Sequence, residues 1–233
     1  MRRLVLIVKC GSAQRPVAAR FGDYETWFIR ALGGDPSHFT VVNPQKGEPF
    51  PDPARCAAVI ATASTASVLE RRPWMTDTGS FLLKAAEQGV PVLGVGFGHQ
   101  LLADALGGQV QKSPKGREFG TVDVTLTADG ERHPLFRGLI GTVTFQTSHE
   151  DEVVALPPGA TLLAGNAHTP IQAFQSGGLL FGVQFAPELW LEPIKALADE
   201  RRLTAQHFRA TEAPAGRTLL HNFESHYIAP RAD

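Results

Sequence analysis

Few side chains in this 233-residue chain combine a reactive group with a position that would expose it. Cys10 follows an apolar strand, at the edge where open α/β sheets bind ligands, so its thiol is a candidate nucleophile with His149 as a distant candidate base. A lone cysteine in that position is more commonly a small hydrophobic residue. Glu188 is a third candidate, because a carboxylate can move a proton or orient a base. The chemistry these groups favour is nucleophilic or acid–base catalysis.

Metal and nucleic-acid chemistry find little support in the sequence. Cys10 and Cys56 form no metal or disulfide framework, and no His, Cys, Asp or Glu spacing resembles a metal site, so we predict neither a metal nor a cofactor. The 22 Lys and Arg residues nearly balance 23 Asp and Glu residues, which leaves no basic field for nucleic acid or an anionic membrane. The short basic run Lys112–Arg117 is predicted to be a solvated loop.

The elements that must position these groups alternate between strand and helix in the first half of the chain. Apolar, β-branched runs predict buried strands at Leu4–Lys9, Phe39–Val42, Ala57–Ala61 and Val90–Val95. Apolar residues recur at helical spacing in Asp23–Leu32, in Phe81–Gln88 and in the segment that follows Gly98, which predicts helices there. This alternation predicts a doubly wound parallel sheet. The first apolar run is too short for a signal peptide, so we expect a cytoplasmic protein.

The second half of the chain has many strands and little helix between them. Predicted strands there are Thr121–Leu126, Thr142–Gln146, Thr161–Ala164, Ile171–Gln175 and Leu179–Phe185. They favour antiparallel additions to the sheet. Helical patterns around Pro193–Ala210 and Arg217–Tyr227 close the chain. No repeat or linker divides it, so residues 1–233 are predicted to form one domain.

Three segments together carry a family resemblance. They are Val92–Leu102, reading VLGVGFGHQLL, Ser148–Asp151, reading SHED, and Gly182–Glu188, reading GVQFAPE. Their order and spacing resemble class I glutamine amidotransferases, in particular small members similar to the glutaminase domain of GMP synthase. The resemblance covers nearly the whole chain. It implies a flavodoxin-like α/β fold with a mostly parallel central sheet, flanking helices and antiparallel additions.

The same resemblance implies that two catalytic positions are altered. In that family a strand enters a sharp G-x-C-x-G elbow that presents a cysteine thiolate, and here the cysteine position is Gly96, which can neither attack a carboxamide nor form a thioester. The family's base is a histidine in G-V-Q-F-H-P-E, and Ala186 occupies its place. Glu188 keeps the orienting carboxylate without a histidine to orient. Alternatively, Glu188 only supplies charge at a helix N-terminus.

An amino-acid pocket is also implied. Gln100 would contact bound glutamine, and the backbone around Ser148 and His149 would hold its α-amino and α-carboxylate groups. Ala63 replaces the glycine of an oxyanion loop of pattern T-G-S-P-x-S. The implied substrate-binding residues are Ala63, Ser64, Phe97, Gln100, Ser148 and His149. The alternative is that these residues only cap a helix and satisfy a turn, and His99 is assigned a packing role.

Two hypotheses for function follow. In the first, the chain is a catalytically degenerate homologue of the family that acts as a binding or regulatory partner, with a synthetase-type protein or a glutamine-like small molecule as its ligand. In the second, the pocket performs different chemistry on an amino acid or γ-glutamyl compound with Glu188, His149 or Cys10. Fold similarity alone does not decide between them.

Overall fold

The computed structural model describes residues 3–204, 206 and 208–229. The strands are β1 (Leu4–Val8), β2 (Phe39–Val42), β3 (Cys56–Ala61), β4 (Val92–Val95), β5 (Gln109–Lys112), β6 (Glu118–Leu126), β7 (Thr142–His149), β8 (Asp151–Ala155), β9 (Thr161–Gly165), β10 (Ala173–Ser176) and β11 (Leu180–Val183). The helices are α1 (Arg15–Phe21), α2 (Tyr24–Ala31), α3 (Pro73–Glu87), α4 (Phe97–Ala105), α5 (Ala128–Arg132), α6 (Leu191–Glu200) and α7 (Ala215–Phe223).

Nine of the described strands form one sheet in the order β2-β1-β3-β4-β11-β10-β9-β6-β7. The pairings from β2 through β11 are parallel, whereas those from β11 through β7 are antiparallel. The predicted parallel core with antiparallel additions is therefore confirmed. A separate two-stranded sheet, formed by β5 and β8, was not predicted from the sequence.

The central strands are buried on both faces, as continuous apolar runs require. Val5 and Ile7 of β1 pack into a cluster with α2 and α7, which contribute Phe28 and Leu219. Leu6 and Val8 point to the opposite face and join a second cluster with residues of α3 and α4. This alternation follows from the two-residue period of a strand and places helical layers on both sides of the sheet.

Helix α6 ends earlier than its sequence pattern predicts. We predicted helix over Pro193–Ala210, but α6 ends at Glu200, because Arg202 adopts a left-handed conformation with φ of 55°. The amide of Leu203 then donates to the Ala198 carbonyl at 2.9 Å, which completes a Schellman-type C-cap. Since glycine usually marks that position, the sequence carried no signal of the stop. Residues 205 and 207 lie outside the described residues.

Other boundaries also differ from the predicted ones. Helix α3 begins at Pro73 rather than near Phe81, with proline in the first turn where no backbone donor is needed. Strands β6 and β7 extend beyond the predicted segments and pair Glu118 with His149 at their shared end. That extension places two polar groups next to each other that the sequence alone does not connect.

Candidate functional site

One cavity brings together the residues that the three sequence segments predict. It has a volume of about 340 Å³ and lies where β4 enters α4. The candidate nucleophile Cys10 does not line it, whereas the catalytic and substrate-binding positions that the family resemblance implies all do: Ala63, Ser64, Gly96, Phe97, Gln100, Ser148, His149, Ala186 and Glu188. Segments far apart in sequence therefore converge at the carboxyl end of the parallel strands, the usual ligand edge of an open α/β sheet.

The elbow between β4 and α4 is built on glycines. A Cβ atom added at Gly94 would lie 2.4 Å from the Gly98 carbonyl oxygen, and one added at Gly98 would lie 2.3 Å from the Ala61 carbonyl oxygen. Both positions therefore require glycine for space. Gly96, between them, has φ 57° and ψ −107°, yet a Cβ there would come no closer than 3.6 Å to the Ala63 side chain. A side chain at position 96 is disfavoured by backbone strain and not by crowding.

Glu188 lies behind the elbow as a buried, unsatisfied acid. It is 4% exposed, and among the described residues neither carboxyl oxygen has a hydrogen-bond partner outside Glu188 itself. Burial raises the pKa of Glu188 to about 8, so the carboxyl group retains its proton at neutral pH. Ala186, two residues earlier, is half-buried and is held by a 2.8 Å bond from its amide to the Gln146 carbonyl. Its methyl group offers Glu188 no polar partner.

His149 is engaged on both ring nitrogens. Nδ1 lies 2.9 Å from the carbonyl oxygen of Asp151, and Nε2 lies 2.9 Å from Oε2 of Glu118. Glu118 is buried and also accepts hydrogen bonds from Asn166 and Gln172 at 2.8 and 2.7 Å. Burial alone would raise the pKa of Glu118, but its hydrogen bonds, with that of His149 foremost, outweigh this effect and lower the pKa. The imidazole is thus part of a structural network.

Asp151 connects the walls of the cavity. Its carbonyl oxygen accepts from His149 and from the Gln100 side-chain amide, the latter at 2.8 Å. Its carboxylate accepts from the hydroxyl of Ser67 at 2.5 Å. The Gln100 amide nitrogen donates in addition to Gln184 at 3.0 Å. The side-chain amide nitrogen of Gln100 is therefore already bonded within the protein, and the ligand role of Gln100 stays a prediction.

Two arginines line the cavity that sequence reasoning did not identify. Arg201 donates to the Ser148 hydroxyl at 2.9 Å and lies 5.3 Å from the centre of the Phe119 ring, while burial lowers its pKa. Arg117 forms an ion pair with Glu150 at the cavity rim. Neither arginine occupies a recognisable motif; Arg201 follows the last residue of α6, and Leu197, one turn earlier in that helix, lines the same cavity.

The two cysteines and His99 lie in settings that limit their chemistry. Cys10 is fully buried and its thiol donates to the Val8 carbonyl, while burial raises its pKa to about 12, so the candidate nucleophile is not poised as a thiolate. Burial likewise raises the pKa of Cys56 to about 11. His99 is buried against the Phe174 ring at 5.1 Å, and burial lowers its pKa to about 3. Its surroundings fit the predicted packing role.

The described residues contain no cluster of three or more His, Cys, Asp or Glu side chains that could hold a metal ion. Over the same part of the chain, no helix has the length and apolar character needed to cross a membrane.

The fold and cavity define a class of protein. The model of the class I glutamine amidotransferase family matches residues 72–201, more than half of the chain, and the chain belongs to that family. This range contains the elbow, the Ser148–Asp151 segment and Glu188. The family resemblance predicted from the sequence is therefore confirmed.

Particular relatives are GMP synthases. The chain is 40% identical over 136 residues to the glutamine-hydrolyzing GMP synthase of Thermomicrobium roseum, covering 58% of this chain and 24% of that protein. It is 39% identical over 104 residues to one subunit of the glutamine-hydrolyzing GMP synthase of Thermococcus kodakarensis, covering 44% of this chain and 53% of the relative. The chain thus spans about a quarter of the first relative and about half of the second.

Solved structures support the fold over the full length. A glutamine amidotransferase from Methylobacillus flagellatus superposes with a TM-score of 0.76, 21% identity, and coverage of 97% of this chain and 93% of that one. One from Thermotoga maritima gives a TM-score of 0.74 at 18% identity, with coverage of 98% and 100%. At these identities the superpositions establish the fold and not the activity.

Proposed function

We propose that this chain is a catalytically degenerate class I glutamine amidotransferase homologue that acts as a binding or regulatory partner. One observation carries the proposal: Gly96 and Ala186 line the cavity beside a buried Glu188 that has no partner among the described residues. By resemblance, these are the positions of the nucleophile, the base and the group that orients the base. The third member is present, and the two that perform bond making and proton transfer are absent.

The proposed loss of activity follows from the chemistry of glutamine hydrolysis by the family's route. A thiolate must attack the carboxamide carbon, and a base must then deliver a proton to the departing ammonia. Glycine at position 96 has no atom that could form the thioester. Alanine at position 186 cannot carry the proton. The Glu188 carboxyl group, which burial keeps protonated near neutral pH, is not a ready base.

The alternative function, different chemistry in the same pocket, has few groups to use. Cys10 is buried away from solvent with a raised pKa, and His149 has both ring nitrogens bonded to protein acceptors. Glu188 remains as the one candidate from that hypothesis whose functional group is unengaged within the described part of the chain. These contacts favour binding over turnover.

The proposed partner is a synthetase-type protein, and the proposed location is the cytoplasm. The Thermococcus kodakarensis relative, which is one subunit of a GMP synthase, and a solved structure of PurLQS from Thermotoga maritima motivate the partner. A glutamine-like small molecule is the proposed cavity ligand, because the residues that would hold its α-amino and α-carboxylate groups are retained. Size-exclusion chromatography with the synthetase component of GMP synthase from the same organism tests the protein partner, and a complex is expected.

Ammonia release from glutamine tests the catalytic part of the proposal. We expect the purified chain to release no more ammonia than buffer, measured by coupling to glutamate dehydrogenase, with an active class I enzyme as the positive control. Glu188→Ala serves as the matched variant, because contaminating glutaminase would be unaffected by it. Ammonia release that disappears in Glu188→Ala would refute catalytic degeneracy and favour the altered-enzyme hypothesis.

A further inference from the structure

The buried carboxyl group of Glu188 lacks a hydrogen-bond partner within the described part of the chain. The residue is only 4% exposed, and both carboxyl oxygens lack partners among the described residues. Buried polar groups in native proteins are nearly always bonded, and an unbonded one costs free energy. A carboxyl group kept in this setting beside a cavity is therefore a candidate to receive a donor from a ligand.

The space next to Glu188 is suited to a small ligand. Gly96 and Ala186 line the same cavity and contribute at most a methyl group to it. Its volume, about 340 Å³, is at the lower end of ligand pockets. Contact with a ligand requires the Glu188 side chain to turn toward the cavity, because neither of its carboxyl oxygens is exposed in the free protein.

Arg201 supplies charge of the opposite sign in the same cavity. Among the described residues it forms no ion pair, although the Glu150 carboxylate of the same cavity attracts its charge, and its hydrogen bond goes to the neutral Ser148 hydroxyl. Glu188 and Arg201 both line this one cavity. A ligand that fills the cavity can therefore contact both the acid and the guanidinium.

We propose that the cavity binds a small amphoteric molecule of the basic amino-acid class. Its side-chain cation contacts Glu188, and its carboxylate contacts Arg201. When the ligand binds, its cation pairs with the ionised Glu188 carboxylate and its carboxylate pairs with Arg201, so two groups that have no ion-pair partner among the described residues become paired. This inference names a basic ligand in place of the glutamine-like molecule considered above, and it rests on the proposed binding function only in assuming that the ligand is bound and not consumed.

Binding of such a cation has a proton signature. Burial raises the pKa of Glu188 to about 8, so the free protein carries a proton there at pH 7, and a ligand cation favours the carboxylate and expels that proton. The other titratable or charged residues that line the cavity with Glu188 are Tyr24, Arg117, His149, Glu150, Asp151 and Arg201. A second cavity of about 230 Å³ that Glu188 also borders contributes Arg30, Glu212 and Arg217. These groups are present with and without ligand, so the expected release comes from Glu188.

Calorimetric titration of the full chain at pH 7 tests the proposal with L-arginine and L-citrulline, which match in shape but differ in side-chain charge. We expect arginine to bind about tenfold more tightly or better. Its apparent enthalpy should vary with the ionisation enthalpy of the buffer in a way that corresponds to about one released proton. Agmatine, which lacks the carboxylate, should bind more weakly than arginine if Arg201 holds that group.

Variants separate this proposal from the proposed function. Glu188→Gln should abolish both the preference for arginine and the proton release, whereas Glu192→Gln, an exposed change at the start of α6, should alter neither. Equal binding of arginine and citrulline, or proton release that survives Glu188→Gln, would overturn the proposal. Tighter binding of L-glutamine would overturn it in favour of a glutamine-like ligand. Consumption of arginine, followed by chromatography, would instead contradict the proposed non-catalytic function.

Discussion

At the residue scale, the site shows which substitutions the scaffold can accept. Gly94 and Gly98 are fixed by backbone atoms within 2.4 Å of any added Cβ, whereas Gly96 is not. Glycine at position 96 relieves a strained conformation that costs a side chain roughly 1–3 kcal/mol. Alanine at position 186 has no polar side-chain group, and its backbone amide is bonded to the Gln146 carbonyl. Both residues are therefore compatible with a stable fold, whereas burial of the unbonded Glu188 carboxyl group costs free energy of folding.

The free-energy cost of burying Glu188 predicts that Glu188→Gln becomes more stable than the wild type as the pH rises. The folded-state pKa of about 8 exceeds the ordinary value of 4.5, so between these two pH values only the folded chain retains the proton. Stability then falls as pH rises, by up to about 1.4 kcal/mol per unit, and the loss is complete above pH 8. Glutamine has no proton to lose and avoids this penalty. Urea unfolding from pH 5 to pH 8 should show Glu188→Gln increasingly more stable than the wild type.

The control for this prediction is Glu192→Gln, which changes an exposed carboxylate on the same segment. It should leave the pH dependence of unfolding unchanged. If the stability difference between Glu188→Gln and the wild type is constant with pH, Glu188 is already ionised in the folded protein and must be bonded to a donor such as an internal water.

Residues of the site were predictable only where a local pattern marked them. Gly96, Ala186 and Glu188 stand in motifs whose order is diagnostic, and the cavity brings them together. Glu118 and Arg201 stand in no motif. Glu118 meets His149 through strand pairing, and Arg201 enters the cavity through an unmarked helix end. Both depend on tertiary contacts that sequence spacing does not encode.

At the element scale, the hairpin of β6 and β7 forms the wall that carries Ser148 and His149. Eight residue pairs join these strands, and the last of them sets Glu118 opposite His149. The sequence predicted shorter strands, because the polar residues at this end hide the alternation that would extend them. A buried hydrogen bond between His149 and Glu118 replaces apolar packing there, and it fixes the position of the cavity wall.

We expect the loss of two acidic residues of β6 to have very different effects on the free energy of unfolding. Glu118→Ala leaves buried donors on His149, Asn166 and Gln172 unmatched, so we expect the free energy of unfolding to fall by about 3–5 kcal/mol. Asp123→Ala removes an exposed ion pair with Arg209 and should cost less than about 1 kcal/mol. Urea unfolding at pH 7 measures both. Similar losses for the two variants would show that the Glu118 network does not hold the wall.

At the scale of the whole molecule, the proposed function implies that the family scaffold is retained more completely than its chemistry. The parallel half of the sheet was predictable because continuous buried runs have few alternatives. The small sheet of β5 and β8 was not, since β5 is short and mostly exposed. Superposition on an amidotransferase structure covers 97% of the chain, so the strands and helices of that fold are in place. The proposed losses then lie in side chains, and the framework that would position replacements remains.

Restoring those side chains tests this view of the molecule. The double variant Gly96→Cys with Ala186→His should release ammonia from glutamine at least about tenfold faster than either single variant, because nucleophile and base act as one unit. A Cβ at position 96 has room, and the Glu188 carboxyl group has no described partner that would keep it from orienting the new histidine. Adding Ala63→Gly, which relaxes the loop facing the elbow, should raise the rate further. If both multiple variants fold, bind glutamine and stay at the background rate, positions 96 and 186 are not aligned for catalysis, and the scaffold has diverged in geometry as well as in side chains.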